Sequence, residues 1–170
     1  FAKKLHMQNA ISEQERIRRE CLNQLLELGI KPYPAEMFDV NTTSKKIKEN
    51  FNKEQDLEVV VAGRIMSRRI MGKASFMELQ DYEGKIQIYI NRDEICGWED
   101  KTMYNHVFKK LLAIGDIVGI SGTVFKTQVG EISIMAKNIK LLAKSLRPLP
   151  LPKKDSEGNI YDAFTDPEKR

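Results

Sequence analysis

The order of periodic runs between residues 57 and 142 limits this chain more than any other feature. Residues 58–70 are rich in valine and isoleucine, 74–81 follow the same habit, and 85–91 alternate strictly, so all three read as strands. Met71-Gly72-Lys73 and Tyr82-Glu83-Gly84 separate them as turns. Across 101–113 the period changes: Tyr104, Val107, Leu111 and Leu112 recur at helical spacing, and Gly115 closes the run. Two more strands follow, 116–127 and 131 to about 142, joined by Gln128-Val129-Gly130. Three strands, a helix and two strands is the order of an OB-fold, a five-stranded Greek-key barrel whose face and loops bind oligonucleotides or oligosaccharides. Gly63, Gly119 and Gly122 fall inside strand runs, where such a barrel needs sharp coiling.

The chain therefore divides into a mainly β domain at 57–145, preceded by a helical segment at 12–56 and followed by 146–170. Ser12 with Glu15 is a capping box and Gly29 a left-handed stop, which predicts a helix between them. Ile17, Cys21, Leu25 and Leu28 form its apolar stripe, so the stripe is expected to pack on the barrel with Cys21 as a small core residue. Lys31-Pro32-Tyr33-Pro34 ends the helix, and a second short one is expected from Thr43 or Ser44 to about Phe51. Residues 1–11 carry no pattern; the His6-Met7 pair reads as tag-derived, and the stretch is set aside as disordered. At the other end, Arg147-Pro148-Leu149-Pro150-Leu151-Pro152 alternates proline and is expected to be a stiff, extended linker toward a further domain.

Charge placement points to the partner. Between Val59 and Met77 lie Arg64, Arg68, Arg69 and Lys73 with no acid, which matches the formal net charge of +4 for all 170 residues. Elsewhere the signs nearly cancel, as among Arg16, Arg18, Arg19 and Glu13, Glu15, Glu20, Glu27. A concentrated cationic stripe on a balanced protein fits a polyanion. No apolar run spans a bilayer and no secretory leader opens the sequence, so neither a membrane protein nor a secreted one is expected. Cys21 and Cys96, with His6 and His106, sit at no metal-ligand spacing, and reduced thiols in the cytoplasm are the expectation. No phosphate-cradling loop, nucleophile triad or paired-carboxylate cleft is present, so no catalytic residue is assigned. Arg92-Asp93-Glu94 reads as a solvated loop and not as a metal site.

Strand parity sorts the candidates. Ile86, Ile88 and Ile90 point to the core, leaving Gln87, Tyr89 and Asn91 on the open face; Met77 and Leu79 point inward, leaving Phe76, Glu78 and Gln80 outside. Phe76 beside an arginine-rich strand is either a stacking platform for an unpaired base or a residue packed under a loop or the N-terminal helix. Gln87 can donate and accept together, which suits the edge of a flipped-out uracil; taken alone, it reads first as a solvated side chain. Glu131 shares the open face and either meets a base donor or forms an ion pair with Lys137 or Arg69. Arg68 and Arg69 alternate in direction, so one faces the site and the other meets phosphate or solvent. Arg64, Arg68 and Lys73 are the expected contacts to a nucleic-acid backbone.

The run from Ala62 to Phe76, with Arg64, Arg68-Arg69-Ile70-Met71-Gly72-Lys73-Ala74-Ser75 inside it, strongly resembles the N-terminal domain of class II lysyl-tRNA synthetases. So do Gly84-Lys85-Ile86-Gln87-Ile88-Tyr89, Phe125-Lys126-Thr127, Gly130-Glu131-Ile132-Ser133 and the exit Ser145-Leu146-Arg147-Pro148-Leu149-Pro150. Leu28-Gly29-Ile30-Lys31-Pro32-Tyr33-Pro34 matches the segment after the family's first helix, and the tail from Tyr161 to Glu168 looks bacterial. The resemblance implies an anticodon-binding OB-fold that grips the anticodon loop of tRNA(Lys), whose central base is uracil. It implies that Phe76 stacks on that uracil, that Gln87 and Arg69 hydrogen-bond it, and that Glu131 lies against the anticodon bases. The family's catalytic domain, with its class II motifs, lies outside this sequence; Asn91-Arg92-Asp93-Glu94 only mimics an Arg-x-Glu pattern. The full-length form would attach lysine to tRNA(Lys) with ATP and Mg²⁺ as a homodimer, whereas this chain would bind tRNA, need no cofactor and make no lysyl-adenylate. Two other readings stand beside it: a generic single-strand-binding OB-fold protein, and the equivalent domain of an aspartyl- or asparaginyl-tRNA synthetase.

Overall fold

A computed structural model describes residues 11–53, 56–98 and 100–150, together with the backbone of 153–154 and 160–161. The expected unstructured start at 1–11 falls almost entirely outside the described residues. The segment before the barrel holds α1 (Glu13–Glu27) and α2 (Ser44–Glu49). β1 (Glu58–Met71), β2 (Ala74–Gln80) and β3 (Lys85–Asn91) follow, then α3 (Arg92–Cys96) and a π-helix (Met103–Leu111). β4 (Ile117–Lys126) and β5 (Ile132–Ala143) complete the domain. The expected solvated loop at Arg92-Asp93-Glu94 is instead the start of α3, capped by the Asn91 side chain on the Asp93 amide.

The five strands close into a barrel in the order β1-β2-β3-β5-β4, with β4 returning to β1. Only β3 and β5 run parallel, through Gln87↔Ser133, Ile88↔Ile134 and Tyr89↔Met135. This is the OB-fold connectivity expected from the element order. β1 makes the closure possible because it belongs to two ladders: Glu58–Arg64 pairs with β4, and Arg64–Met71 pairs with β2. At the handover, a Cβ on Gly63 would stand 2.5 Å from the Gln80 carbonyl oxygen, so the strands approach more closely than any side chain permits. Gly122 meets the Met135 backbone in the same way where β4 and β5 shift register.

The core is the inward parity set. Ile65, Met77, Leu79, Ile88, Ile120 and Ile134 are all sealed from solvent. The π-helix adds Tyr104, Val107, Phe108 and Leu111 to the core, and its wider turn is visible where the Leu112 amide donates to the Val107 carbonyl at 2.9 Å. Buried Tyr104 is satisfied by the Ser75 hydroxyl at 2.7 Å and by donation to the Gly72 carbonyl at 3.1 Å. Asp116 and Lys144 form an ion pair at 2.9 Å with both side chains fully buried. Asp116 also accepts from the amides of Ala113 and Ser145, each at 2.8 Å.

The helical segment is fastened to this body at several points. α1 is capped as expected, Ser12 accepting from the Glu15 amide at 3.2 Å, but its register differs from the sequence reading. Ile17 and Leu28 face solvent, while Leu25 and Arg18 are buried. Arg18 lays its stem against the body and donates to the carbonyls of Ile114 (2.9 Å) and Ser145 (3.2 Å), an anchor that a hydrophobic stripe does not reveal. Cys21 is half-buried against the core and points at the Lys110 carbonyl. Further along, Tyr33 donates to the Lys144 carbonyl at 2.7 Å, and the Phe38 ring lies directly over Gly119. α2 is fixed more firmly still: the Ser44 amide and hydroxyl both donate to Asp81, at 2.6 and 2.8 Å, and Ile47 is buried. After the Arg147–Pro152 segment expected to be stiff, whose last two residues lie outside the described residues, 153–154 and 160–161 form a two-stranded antiparallel ladder, β6 (Lys153–Lys154) with β7 (Ile160–Tyr161).

Candidate nucleic-acid interface

The outer face of β1, β2 and β3, with the β4–β5 turn as one wall, forms an open cleft of about 1030 Å³. Its floor is laid out by register. One row runs Arg69↔Phe76↔Tyr89 across three strands, and the next runs Ser67↔Glu78↔Gln87↔Ser133. Directly opposed residues on one face sit close enough to touch, so the first row becomes a line of planar groups. The Phe76 and Tyr89 ring centroids are 5.2 Å apart, Tyr89 and Phe125 are 6.0 Å apart, and the Arg69 guanidinium lies 6.0 Å from the Phe76 centroid. Phe76 is thus partly exposed on the cleft floor and not packed under a loop or helix.

The β1 bulge decides which arginine reaches this face. Ile65 pairs with Leu79 and Ser67 with Glu78, so Met66 is the extra residue and the strand's parity flips there. Before the bulge, Val59, Val61 and Ile65 point inward; after it, Ser67 and Arg69 line the cleft. Arg68 is turned away. It donates to the Phe108 carbonyl, its guanidinium sits 5.7 Å from the Phe108 ring, and burial lowers its pKa below the usual arginine value despite the charge of Asp116. Arg64 likewise donates to the Gly115 carbonyl at 2.8 Å and does not line the cleft. Lys73 is exposed at the β1–β2 turn, beside the cleft but not in it.

Gln87 has a defined orientation. Its Oε1 accepts from the buried Ser133 hydroxyl at 2.9 Å, which leaves its amide N–H groups for the cleft. Glu131 stands on the rim, half-exposed, with Lys48 of α2 at 3.8 Å. Neither partner expected for it is used, since Lys137 bonds Glu58 at 2.7 Å and no ion pair joins Glu131 to Arg69 among the described residues. Glu78 is matched by Lys85 at 3.0 Å. Arg69 is consequently the cleft cation that no described carboxylate neutralises.

Phe76, Gln87, Arg69 and Glu131 are therefore brought to one cleft, while Arg64, Arg68 and Lys73 are not. Lys48, Lys85 and Phe125 join the first group. Phe125 was legible from parity, because its neighbour Val124 is a core residue; Lys48 comes from outside the barrel and carries no signal of its place.

A closed β1-β2-β3-β5-β4 barrel with an aromatic, cation-flanked face defines an OB-fold nucleic-acid-binding domain. The family model for the OB-fold nucleic acid binding domain matches residues 59–142. The chain is 60% identical to a lysine–tRNA ligase of Christiangramia forsetii over 168 residues, covering 99% of this chain and 29% of that protein. It is 56% identical to the lysine–tRNA ligase of Porphyromonas gingivalis (94% of this chain, 28% of the relative) and 53% identical to that of Azobacteroides pseudotrichonymphae (94% and 32%). The chain therefore resembles lysine–tRNA ligases over nearly its whole length, carries an OB-fold nucleic acid binding domain at 59–142, and spans under a third of the length of the relatives it matches.

Proposed function

We propose that the cleft receives the unpaired anticodon loop of tRNA(Lys), with the central uracil stacked on Phe76. The observation that carries this reading is the Arg69–Phe76–Tyr89 row: an open aromatic surface beside an unneutralised cation accepts a base face and the adjoining phosphate together. Gln87, with its oxygen engaged by Ser133, directs N–H donors at a base carbonyl, which a pyrimidine such as uracil supplies. Arg69 donates to the same base or its phosphate, and Glu131 accepts from a neighbouring base N–H. Lys73 keeps the role of backbone contact; Arg64 and Arg68, engaged by Gly115 and Phe108 carbonyls, are read as structural. Lysine identity is favoured over the aspartyl or asparaginyl alternative because the relatives above are lysine–tRNA ligases.

In the parent protein this domain would fix the tRNA while the remaining two-thirds attaches lysine with ATP and Mg²⁺, as a cytoplasmic homodimer. Among the described residues no group of three or more His, Cys, Asp or Glu could hold a metal ion. Among them, no helix is long and apolar enough to cross a membrane.

One feature favours the generic single-strand reading: Tyr89 and Phe125 extend the aromatic row beyond a single base. An NMR titration with a lysine anticodon stem-loop checks where RNA lies. Amide shifts concentrated at 67–69, 76–78, 87–89 and 125–131 support the proposal. Shifts confined to α1 or the π-helix would overturn it.

A further inference from the structure

Among the described residues, Lys48 is the one cleft residue that the barrel does not supply. It sits in the last turn of α2, a six-residue helix too short to hold its own shape in water. The barrel makes it rigid. The Ser44 amide and hydroxyl reach Asp81, the Thr43 hydroxyl donates to Glu83, and Ile47 is buried in the core. Asp81 in turn accepts from the Glu83 and Gly84 amides, both at 2.9 Å, so α2 and the β2–β3 turn form one hydrogen-bonded unit. That unit fixes where the Lys48 stem begins, and the ammonium group lies 3.8 Å from Glu131 on the opposite wall.

Glu131 poses an electrostatic problem on a surface meant for RNA. A lone carboxylate on the rim repels an incoming phosphate, at roughly 1 kcal/mol for charges about 4 Å apart in bulk water and more where water is displaced. Lys48, 3.8 Å away, offsets that charge. Lys45, in the same helix, is instead matched with Glu49, and Lys85 with Glu78; among the described residues it is Lys48 that pairs with Glu131.

Resting on the anticodon-loop reading above, we infer that Lys48 is a positioning residue for RNA recognition: it holds and neutralises Glu131, so that the N-terminal segment completes the site. The pair is half-exposed, and exposed pairs of this kind contribute little to folding. Loss of Lys48 is therefore separable from loss of the fold.

The test is a double-mutant cycle in the 170-residue chain. Lys48→Met, Glu131→Gln, the double variant and Lys48→Arg are titrated with a labelled lysine anticodon stem-loop at fixed salt, with thermal unfolding measured alongside. Lys48→Met is expected to weaken binding about three- to fivefold at unchanged melting temperature, with Lys48→Arg restoring it. In the Glu131→Gln background the same change is expected to cost less than twofold, since no charge remains to be cancelled. Equal losses in both backgrounds overturn the inference and make Lys48 an independent phosphate contact. No loss in either overturns it as well. The anticodon reading is judged separately, by whether the unmodified chain prefers this loop to one with a changed central base. Preference without coupling removes Lys48 alone, and absence of preference removes the parent reading and the inference resting on it.

Discussion

Phe76→Ala removes the centre of the aromatic row, and the structure separates its effect on folding from its effect on binding. In the folded protein the ring contributes one tilted contact with Tyr89 at 5.2 Å and one exposed cation–π contact with Arg69 at 6.0 Å. These are worth roughly 0.5–1.5 and 0.5–1 kcal/mol. Their sum is small beside the roughly 5–15 kcal/mol that holds a typical domain. The core residues on the same strand, Met77 and Leu79, are untouched. With RNA bound, the ring would carry a stacked base, worth roughly 1–3 kcal/mol. Truncation therefore predicts a loss of about fivefold to 150-fold in affinity for the anticodon stem-loop, with cooperative unfolding retained. Fluorescence anisotropy with a labelled stem-loop reads the first quantity and urea denaturation the second. A variant that no longer folds would place Phe76 in the core, and unchanged affinity in a folded variant would refute the stacking role.

Three other outcomes follow from the packing. Asp116→Ala strands a fully buried Lys144 ammonium and removes the acceptor of two amides, so urea denaturation should register a loss of about 3–5 kcal/mol. Gly119→Ala drives a methyl group into the Phe38 ring, and the expected cost is about 1–3 kcal/mol, with faster proteolysis near residue 38 as the local readout. Burial alone would raise the Asp81 pKa, but donors from Ser44, Glu83 and Gly84 outweigh it and hold the carboxyl below its ordinary value of 3.8. Its stabilising contribution is complete above that value and is lost as pH falls through the lower folded value. Asp81→Asn should flatten the acid limb of a stability-against-pH curve; an unchanged limb would contradict the assignment.

Much of this was legible because strands advertise their faces. The alternation in Lys85-Ile86-Gln87-Ile88-Tyr89-Ile90 placed Gln87 and Tyr89 outside, and the interior glycines marked where the barrel coils. The direction of Arg68 and Arg69 was not legible, since it depends on a bulge at Met66 whose two-against-one pairing exists only in the ladder with β2. α1 misled for a different reason. A hydrophobic pattern ranks arginine as a surface residue, yet Arg18 is buried because two backbone carbonyls from distant segments need its donors. Glu131 was assigned to the open face correctly, but its partner Lys48 is distant in sequence and reaches it only through the docking of α2. Local periodicity records which way a side chain points, and contacts between separate elements lie outside its reach.

The central claim, that this cleft reads an anticodon base and does not merely attract RNA, is tested most directly by paired anisotropy titrations at one salt concentration. One labelled stem-loop carries the lysine anticodon, and the other differs only at the central uracil. Stacking tolerates any base, so discrimination rests on the hydrogen bonds that Gln87 and Arg69 would make to the uracil edge; losing one is worth about 1 kcal/mol, and at least a fivefold preference for the native loop is predicted. Equal binding to both loops would contradict the claim and leave a cationic OB-fold that holds single strands without reading them.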